Sequence, residues 1–479
     1  MEKVRKSSTR AMDMTEGNLF WKIILFALPV MATTMMQLLY VTIDLTTVHY
    51  GDSAESMGAI ASNNALINLI IVVFTGVSLG VNVLMSEAKG AKNPEKAEKV
   101  MHTSLVFALF SGIFVGIIGF LFSDDLLRMM GTEAHYMEKA TLYLRIYFGG
   151  LPFLMIYNYA AQLLRAQGDS RSPFIILTIS GVINVIFDCI FVFPLHLGVA
   201  GVGVATVMSE GVSCVLGVFA LAKGRRAYVR FSFKKLHIDK ATLFEVLRVG
   251  LPSGLQGFFF SLPNVFIQSS LYTIDPGNVD LENGATAAAN IEGYFFAVID
   301  AIGAASMTFV AANMGARNKK NIVKSILYAT IWGLIGCAII ALLTLTANRA
   351  LFSLFVDTDE AIEAGSQRLF LMGVTYSINL LMNLSAGVLK GIKKPLYPMI
   401  TTMVFCTGAR IVLILTVFPL EQFHTLTWLY ALFPITWVLA AISNGIFLAI
   451  LLPKVFKQLD EPTKSPAPEQ LEPAVEEAK

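Results

Sequence analysis

Two aspartates stand where the chain is otherwise apolar: Asp44 within QLLYVTIDLTTV and Asp188 within GVINVIFDCIFVF. Asn184 precedes Asp188 by four residues, so a helix puts both on one face. Thr206 and Glu210 repeat that spacing further on. Two carboxyls, an amide and a hydroxyl make a hard-oxygen set, able to share a proton or to hold a small cation such as Na⁺. Loading it would cancel buried charge and bias two helix packings, which ion coupling requires. The simpler alternatives are that either aspartate caps a kink or pairs with Arg145. Glu210 either relays protons or pairs locally. Gln37 and Tyr40, seven and four residues before Asp44, share its face and are expected to line the same cavity.

These residues need elements to hold them, and the composition says which kind. Of 479 residues, 55% are hydrophobic and only 15% charged, against roughly 25% charged in soluble domains. Mean hydropathy is +0.65. So much apolar surface excludes a cytosolic enzyme, a disordered chain and a secreted disulfide scaffold. A net charge of +2 gives no reason to expect nucleic acid as a partner. Cys189, Cys214, Cys337 and Cys406 lie in apolar runs without CxxC spacing and read as small buried hydrophobes, not metal ligands or a disulfide.

A membrane-spanning helix takes roughly 20 apolar residues. Twelve runs qualify: 20–49, 57–85, 100–123, 140–163, 173–194, 199–222, 244–272, 284–313, 325–347, 365–389, 396–419 and 427–453. They are continuous rather than alternating, which favours helices over barrel strands. The predicted fold is an all-α membrane protein of twelve transmembrane helices in two six-helix lobes. The basic stretch KGRRAYVRFSFKKLHIDK separates them. The expected divisions are a cytoplasmic N-tail (1–19), an N-lobe (20–222), a cytoplasmic linker (223–243), a C-lobe (244–453) and a disordered cytoplasmic tail (454–479). The N-tail shows no cleaved signal peptide. With both termini inside, inner segments hold 24 Lys and Arg, and outer ones only Arg128, Lys139, Arg349 and Arg368. That bias predicts cytoplasmic termini in a bacterial plasma membrane.

The halves repeat. FALPVMAT at Pro29 returns as VGLPSGLQ at Pro252, GAKNPEK at Gly90 as GARNKKN at Gly315, SPFIILTI at Pro173 as YPMITTMV at Pro398, and FPL at Phe193 again at Phe418. The offsets are 223, 225, 225 and 225. Duplication of an even number of helices relates the lobes by a pseudo-two-fold along the membrane normal.

Helical rise then sets depth. Asp188 falls ~10 Å, and Asp44 and Thr206 ~9 Å, below the outer ends of their spans at 1.5 Å per residue. Glu292 and Arg410 both fall ~12–14 Å below that surface, which predicts a structural ion pair in the second half. Asp300, two turns deeper, is placed in a wet vestibule without a role. The chain has 34 Phe and 20 Met, which suit lipid contact and packing or an adaptable pocket.

No phosphate-binding Gly-x-x-x-x-Gly-Lys-Ser/Thr loop, His-Glu-x-x-His, Gly-x-Ser-x-Gly or Arg-rich span occurs. That leaves a secondary transporter or flippase, not an ATP-driven pump within this chain, a hydrolase or a voltage sensor. The outer acids Asp124, Asp125, Asp357, Asp359 and Glu360 read as solvated ends rather than a transferase site, and SEAKGAKNPEKAEK lacks the major facilitator signature of Asp-Arg-x-Gly-Arg type.

The segments ALP…LLYVTID, INLIIVVFTGVSLG…GAKNPEKA, LPF…LLRAQGDSRSPF, INVIFD…GVAGVGVATVMSEG, GLPSGLQ and TFVAANMGARN together resemble the multidrug and toxic compound extrusion (MATE) transporters of bacteria. The similarity runs from about Leu25 to Pro453. It implies a two-lobe antiporter that expels cationic, amphipathic small molecules across the lipid bilayer in exchange for Na⁺ or H⁺, and the chain is expected to act without a cofactor and as a monomer. It also implies that Asp44, Asn184, Asp188 and Thr206 match the family's N-lobe cation positions. The sequence departs from the family at His49 after Val48, at Ala312 where Gln is common, and at Glu210 where many relatives have a neutral polar residue. One branch has a glutamate in helix 7 and an aspartate in helix 10. Here those places hold GFFFSL and no acid, which points to coupling in the first half alone. The alternative is a lipid-linked saccharide flippase of the same superfamily, which would need basic residues in its cavity.

Overall fold

The structure, a computed structural model, describes residues 11–224, 227–356 and 358–461. Among these residues there is no strand. Six long helices make the first half: α1 (Leu19–Gly51), α2 (Ala54–Gly90), α3 (Pro94–Leu121), α4 (Met137–Ala166), α5 (Arg171–Val192) and α6 (Gly198–Lys223). Six make the second: α7 (Lys240–Ile274), α8 (Val279–Gly315), α9 (Lys319–Thr346), α10 (Asp359–Gly391), α11 (Leu396–Thr416) and α12 (Leu426–Asp460). Eleven are long and apolar enough to cross a membrane. The exception, α7, is diluted by Pro252, Ser253, Gln256 and Pro263. All twelve predicted spans are present, and most run longer than their apolar cores because polar residues cap them. Asn93 accepts from Lys96 N to start α3, with Pro94 just inside, and Asn318 does the same for α9 from Asn321 N. The predicted tail begins too early: α12 stays helical to Asp460. Residues 462–479, also expected to be disordered, lie outside the described residues, as does Asp357.

The duplication reappears in the backbone. Lys92 and Arg317 both have φ of 54°, and they are 225 positions apart. Gly168 (φ 87°) and Lys393 (φ 59°) share the same offset. Each pair follows a helix end, where a left-handed residue turns the chain out of the helix. Non-glycine residues accept that strain at three of the four positions, so the turn geometry itself is kept in both halves.

Two large apolar cores result, one per lobe, with a small cluster of Val83, Val249, Met307 and Ala311 at the seam, and α1 divides between the two large ones. Leu19, Ile23, Phe26 and Val30 are buried with Phe309, Ile302 and other residues of the second lobe. Val48 is buried in the first. Pro29 sits within α1 and cannot donate a backbone bond to the preceding turn, and Thr33 donates its hydroxyl to the Pro29 carbonyl at 2.7 Å. The first half of α1 therefore belongs to the second lobe's core, contrary to a division that assigns residues 20–222 to one lobe.

We call the face bearing the N-terminus and the Lys/Arg-rich loops the basic face. There the lobes are packed through backbone. A Cβ on Gly76 of α2 would lie 2.1 Å from Gly254 Cα of α7, and one on Gly90 would lie 1.8 Å from the Ala312 carbonyl oxygen. Only glycine allows these approaches. Thr308 donates to Asn82 across the seam at 3.0 Å. At the surface Lys393 pairs with Glu87 at 2.8 Å and Lys96 with Glu245 at 3.3 Å. The N-tail also takes part. Met14 is buried, Lys89 and Asn313 donate to the carbonyls of Met12 and Met14, and Asn321 donates to that of Thr15. Residues 12–15 thus bridge both lobes. Among the described residues, every hydrogen bond and ion pair joining the lobes lies on the basic half.

Candidate cation site

The N-lobe site is set by how α1 lies along α5. Both helices run away from the basic face. A Cβ on Gly181 would strike the Tyr40 ring, and one on Gly51 would strike Val192. Both contacts have the same offset of 141 residues, so the register is constant between them. Tyr40 also donates to the Thr178 carbonyl at 3.4 Å. Asp44 lies between these clamps, and its carboxyl comes within hydrogen-bonding reach of Asp188. Asp188 is fully buried. Asp44 Oδ1 and both oxygens of Asp188 have no N–H or O–H donor. Asp44 itself is half-buried with Oδ1 enclosed, and two carboxyls meeting in this way favour a proton or a metal cation between them.

Neighbouring helices add polar groups. Asn184 is 4% exposed, one turn from Asp188, and its Nδ2 is buried without a partner. Thr206 of α6 gives its proton to the Val202 carbonyl at 2.9 Å. Its lone pairs are left for Tyr143 of α4, whose hydroxyl contacts it and lies within electrostatic range of Asp44, Asp188 and Glu210. Glu210 is one turn further along α6. Its Oε2 is buried without a partner, close to Gly150, with Tyr147 in electrostatic range. It forms no ion pair among the described residues. Asp44, Asp188 and Glu210 do not converge as one metal-ligating cluster: no group of three or more His, Cys, Asp and Glu is found among the described residues. The site is a pair of acids with an amide and a hydroxyl beside it, and a third acid a turn away.

Sequence spacing brought together Asp44 and Asp188, with Asn184 and Thr206 near them. Gln37 is exposed, and the Tyr40 ring packs against Gly181. Arg145 pairs with neither aspartate, since its guanidinium lies over Phe120 at 5.7 Å. Tyr143 and Tyr147 were missed, although their four-residue spacing on α4 puts both on one face. Cys189 is exposed, contrary to the buried reading, while Cys214, Cys337 and Cys406 are buried as expected.

The predicted Glu292–Arg410 pair does not form. Arg368 of α10 takes Glu292 instead, through two parallel bonds of 2.8 Å. Equal depth does not fix azimuth. Residues Thr402–Ala409 of α11 form a π-helical segment immediately before Arg410. Its wider turn rotates the residues that follow, and Arg410 donates to Thr436 of α12 at 2.6 Å. Arg368, which the charge bias counts with the outer residues, has a side chain only 11% exposed. Asp300 keeps solvent access while lying within electrostatic range of Arg165 and Lys390. At the repeat offset of 225, the positions matching Asn184, Asp188, Thr206 and Glu210 are Ala409, Leu413, Ala431 and Ile435. The acid site is therefore not duplicated.

A model of the MatE family matches the chain twice, at residues 29–190 and 257–416. Those two matches coincide with the repeated halves. The probable multidrug resistance protein YoeA of Bacillus subtilis is 28% identical over 352 residues, which is 71% of this chain and 74% of YoeA. The probable multidrug resistance protein NorM of Thermotoga maritima is 25% identical over 397 residues, covering 81% and 84% of the two chains. Among solved structures, a MOP superfamily transporter from Pyrococcus furiosus superposes with a TM-score of 0.85 at 22% identity, covering 94% of this chain and 99% of that one. With twelve helices in two repeated lobes and a family match in each, this chain belongs to the multidrug and toxic compound extrusion family and is a membrane transporter, not an enzyme.

Proposed function

We propose that this transporter is an antiporter that exports amphipathic cations in exchange for Na⁺ or H⁺, with Asp44 and Asp188 as the coupling pair. The observation that carries this reading is the two carboxyls meeting at hydrogen-bonding reach with no donor of their own. A cation or proton stabilises their contact. Without it, charge repulsion favours separation of α1 from α5. Because the first part of α1 packs in the other lobe's core, a shift of α1 at Asp44 is felt across the lobe interface. Asn184 and Thr206 supply further oxygens, and the Tyr143–Thr206–Glu210 group extends the polar path inward from the pair.

The positive-inside bias puts the basic face in the cytoplasm of a bacterial cell. The seam is closed on that side, so in this reading substrate leaves by the opposite face. Rocking the lobes apart there means parting the Gly76–Gly254 contact and the Glu87–Lys393 pair. Export of cations suits the acidic N-lobe. A saccharide-pyrophosphate flippase would need free basic groups, and Arg368 is occupied by Glu292 while Arg410 is wholly enclosed.

The test is reconstitution of the full chain in proteoliposomes with an ethidium-type substrate. An imposed Na⁺ gradient or pH gradient should drive uphill substrate exchange, and whichever gradient works identifies the ion. If neither gradient moves substrate while ATP-free facilitated flux persists, the antiport reading fails.

A further inference from the structure

A groove runs between α1 and α5. Leu28, Pro29 and Ala32 of α1 form one wall and Phe174 and Ile175 of α5 the other, and Arg171, the first residue of α5, completes the lining. It encloses about 390 Å³, within the ~300–1,000 Å³ typical of small-molecule sites. The path of α1 explains it. Ile23, Phe26 and Val30 turn into the core of the second lobe, while α5 belongs to the first. The two helices close on each other further along, at the Tyr40–Gly181 and Gly51–Val192 contacts. Before that clamp they leave a slot. Leu28 is 45% and Ile175 53% exposed, so the slot opens to the bilayer rather than to the core.

Arg171 is the one charged member of the lining. It is exposed and makes no hydrogen bond or ion pair among the described residues. Asp169, two residues earlier, is engaged by Ser172, which donates to it from N at 3.1 Å and from Oγ at 2.6 Å. Because α5 starts on the basic face, the guanidinium stands on the side of the anionic leaflet. An apolar slot in the bilayer takes up hydrocarbon, and an unpaired cation beside it selects a head of negative charge. A zwitterionic headgroup carries its own cation next to the phosphate and gains less. The amphipathic cations proposed above as substrates have the wrong sign for Arg171.

We propose that this groove is a binding site for an anionic phospholipid of the cytoplasmic leaflet, with one acyl chain between α1 and α5 and the headgroup phosphate on Arg171. The lipid then touches the part of α1 that packs in one lobe and the helix α5 of the other. The site is separate from the acid pair and does not depend on the coupling reading.

Trp21 serves as the reporter. It is 55% exposed and precedes Leu28 by seven residues, on the same face of α1. The full chain in phosphatidylcholine vesicles is titrated with phosphatidylglycerol brominated in its acyl chains, and the Trp21 signal is the difference from Trp21→Phe. Half-maximal quenching should come at a mole fraction about fivefold lower than with brominated phosphatidylcholine. Arg171→Gln should remove that preference, and Arg171→Lys should keep it. Ala32→Phe, which fills the slot, should also remove it. Equal quenching by the two lipids in the parent, or a preference that survives Arg171→Gln, overturns the proposal. A preference that survives Ala32→Phe does so too, since the phosphate would then be held without the groove. Displacement of phosphatidylglycerol by ethidium also overturns it and would mark the slot as an entry for substrate.

Discussion

Neutralising one member of the acid pair should remove most of the cation's binding energy. Asp44 and Asp188 come within hydrogen-bonding reach of each other, so their charges sit about 4 Å apart. At an effective dielectric of about 20, two unit charges at that distance interact by about 4 kcal/mol. A proton on one carboxyl removes that repulsion, while a metal cation gains an attraction of similar size to each carboxylate. Asp188→Asn or Asp44→Asn takes away the repulsion that draws the proton, or one of the two attractions that hold the metal ion. The cation then loses about 4 kcal/mol of driving force, close to three decades in affinity. The amide also donates to the remaining carboxylate and satisfies it without any ion. In proteoliposomes, the concentration of coupling cation giving half-maximal efflux should rise by about a thousandfold in either variant. Expression and detergent stability should hold, because each change removes buried charge rather than adding it. Half-saturation within threefold of the parent in both variants would refute the reasoning, since it would mean the two carboxyls do not act on one ion.

Four further outcomes follow from the packing. Glu292→Gln or Arg368→Met alone should each cost about 3–5 kcal/mol by leaving one buried charge unpaired. The double variant should cost less than either single one, as read by reversible denaturant titration in detergent, and additive losses would argue against the pair. Tyr143→Phe removes the hydroxyl that touches Thr206, an effect about the size of one hydrogen bond, about 0.5–1.5 kcal/mol, so half-saturation should move by about 2- to 10-fold, far less than in the aspartate variants. Gly254→Leu should force α7 from α2, and spin labels on Ala91→Cys and Ala316→Cys should then sit further apart. An unchanged distance would show that this glycine contact does not hold the seam. Glu87→Gln breaks half-exposed pairs worth about 0–1 kcal/mol. It should open the same labels only slightly, and raising salt in the parent should mimic it.

Much of this protein was fixed by its order of residues. Twelve apolar runs, a 24-to-4 bias of basic residues and repeats at 225 positions determined helix number, lobes and the axis relating them. Spacing along single helices also joined Asn184 to Asp188 and Thr206 to Glu210. Rise per residue gave Asp44 and Asp188 one depth, because length along a helix is nearly invariant to packing. Azimuth is not invariant in this way. Which residue of equal depth faces another depends on register between helices and on local winding. The constant α1–α5 register turned Asp44 toward Asp188, whereas the π segment of α11 turned Arg410 away from Glu292 and left that carboxylate to Arg368. Likewise no linear pattern shows that α1 contributes to both cores or that residues 12–15 span the seam, since those contacts arise only when two lobes, each folded on its own apolar surface, are brought together.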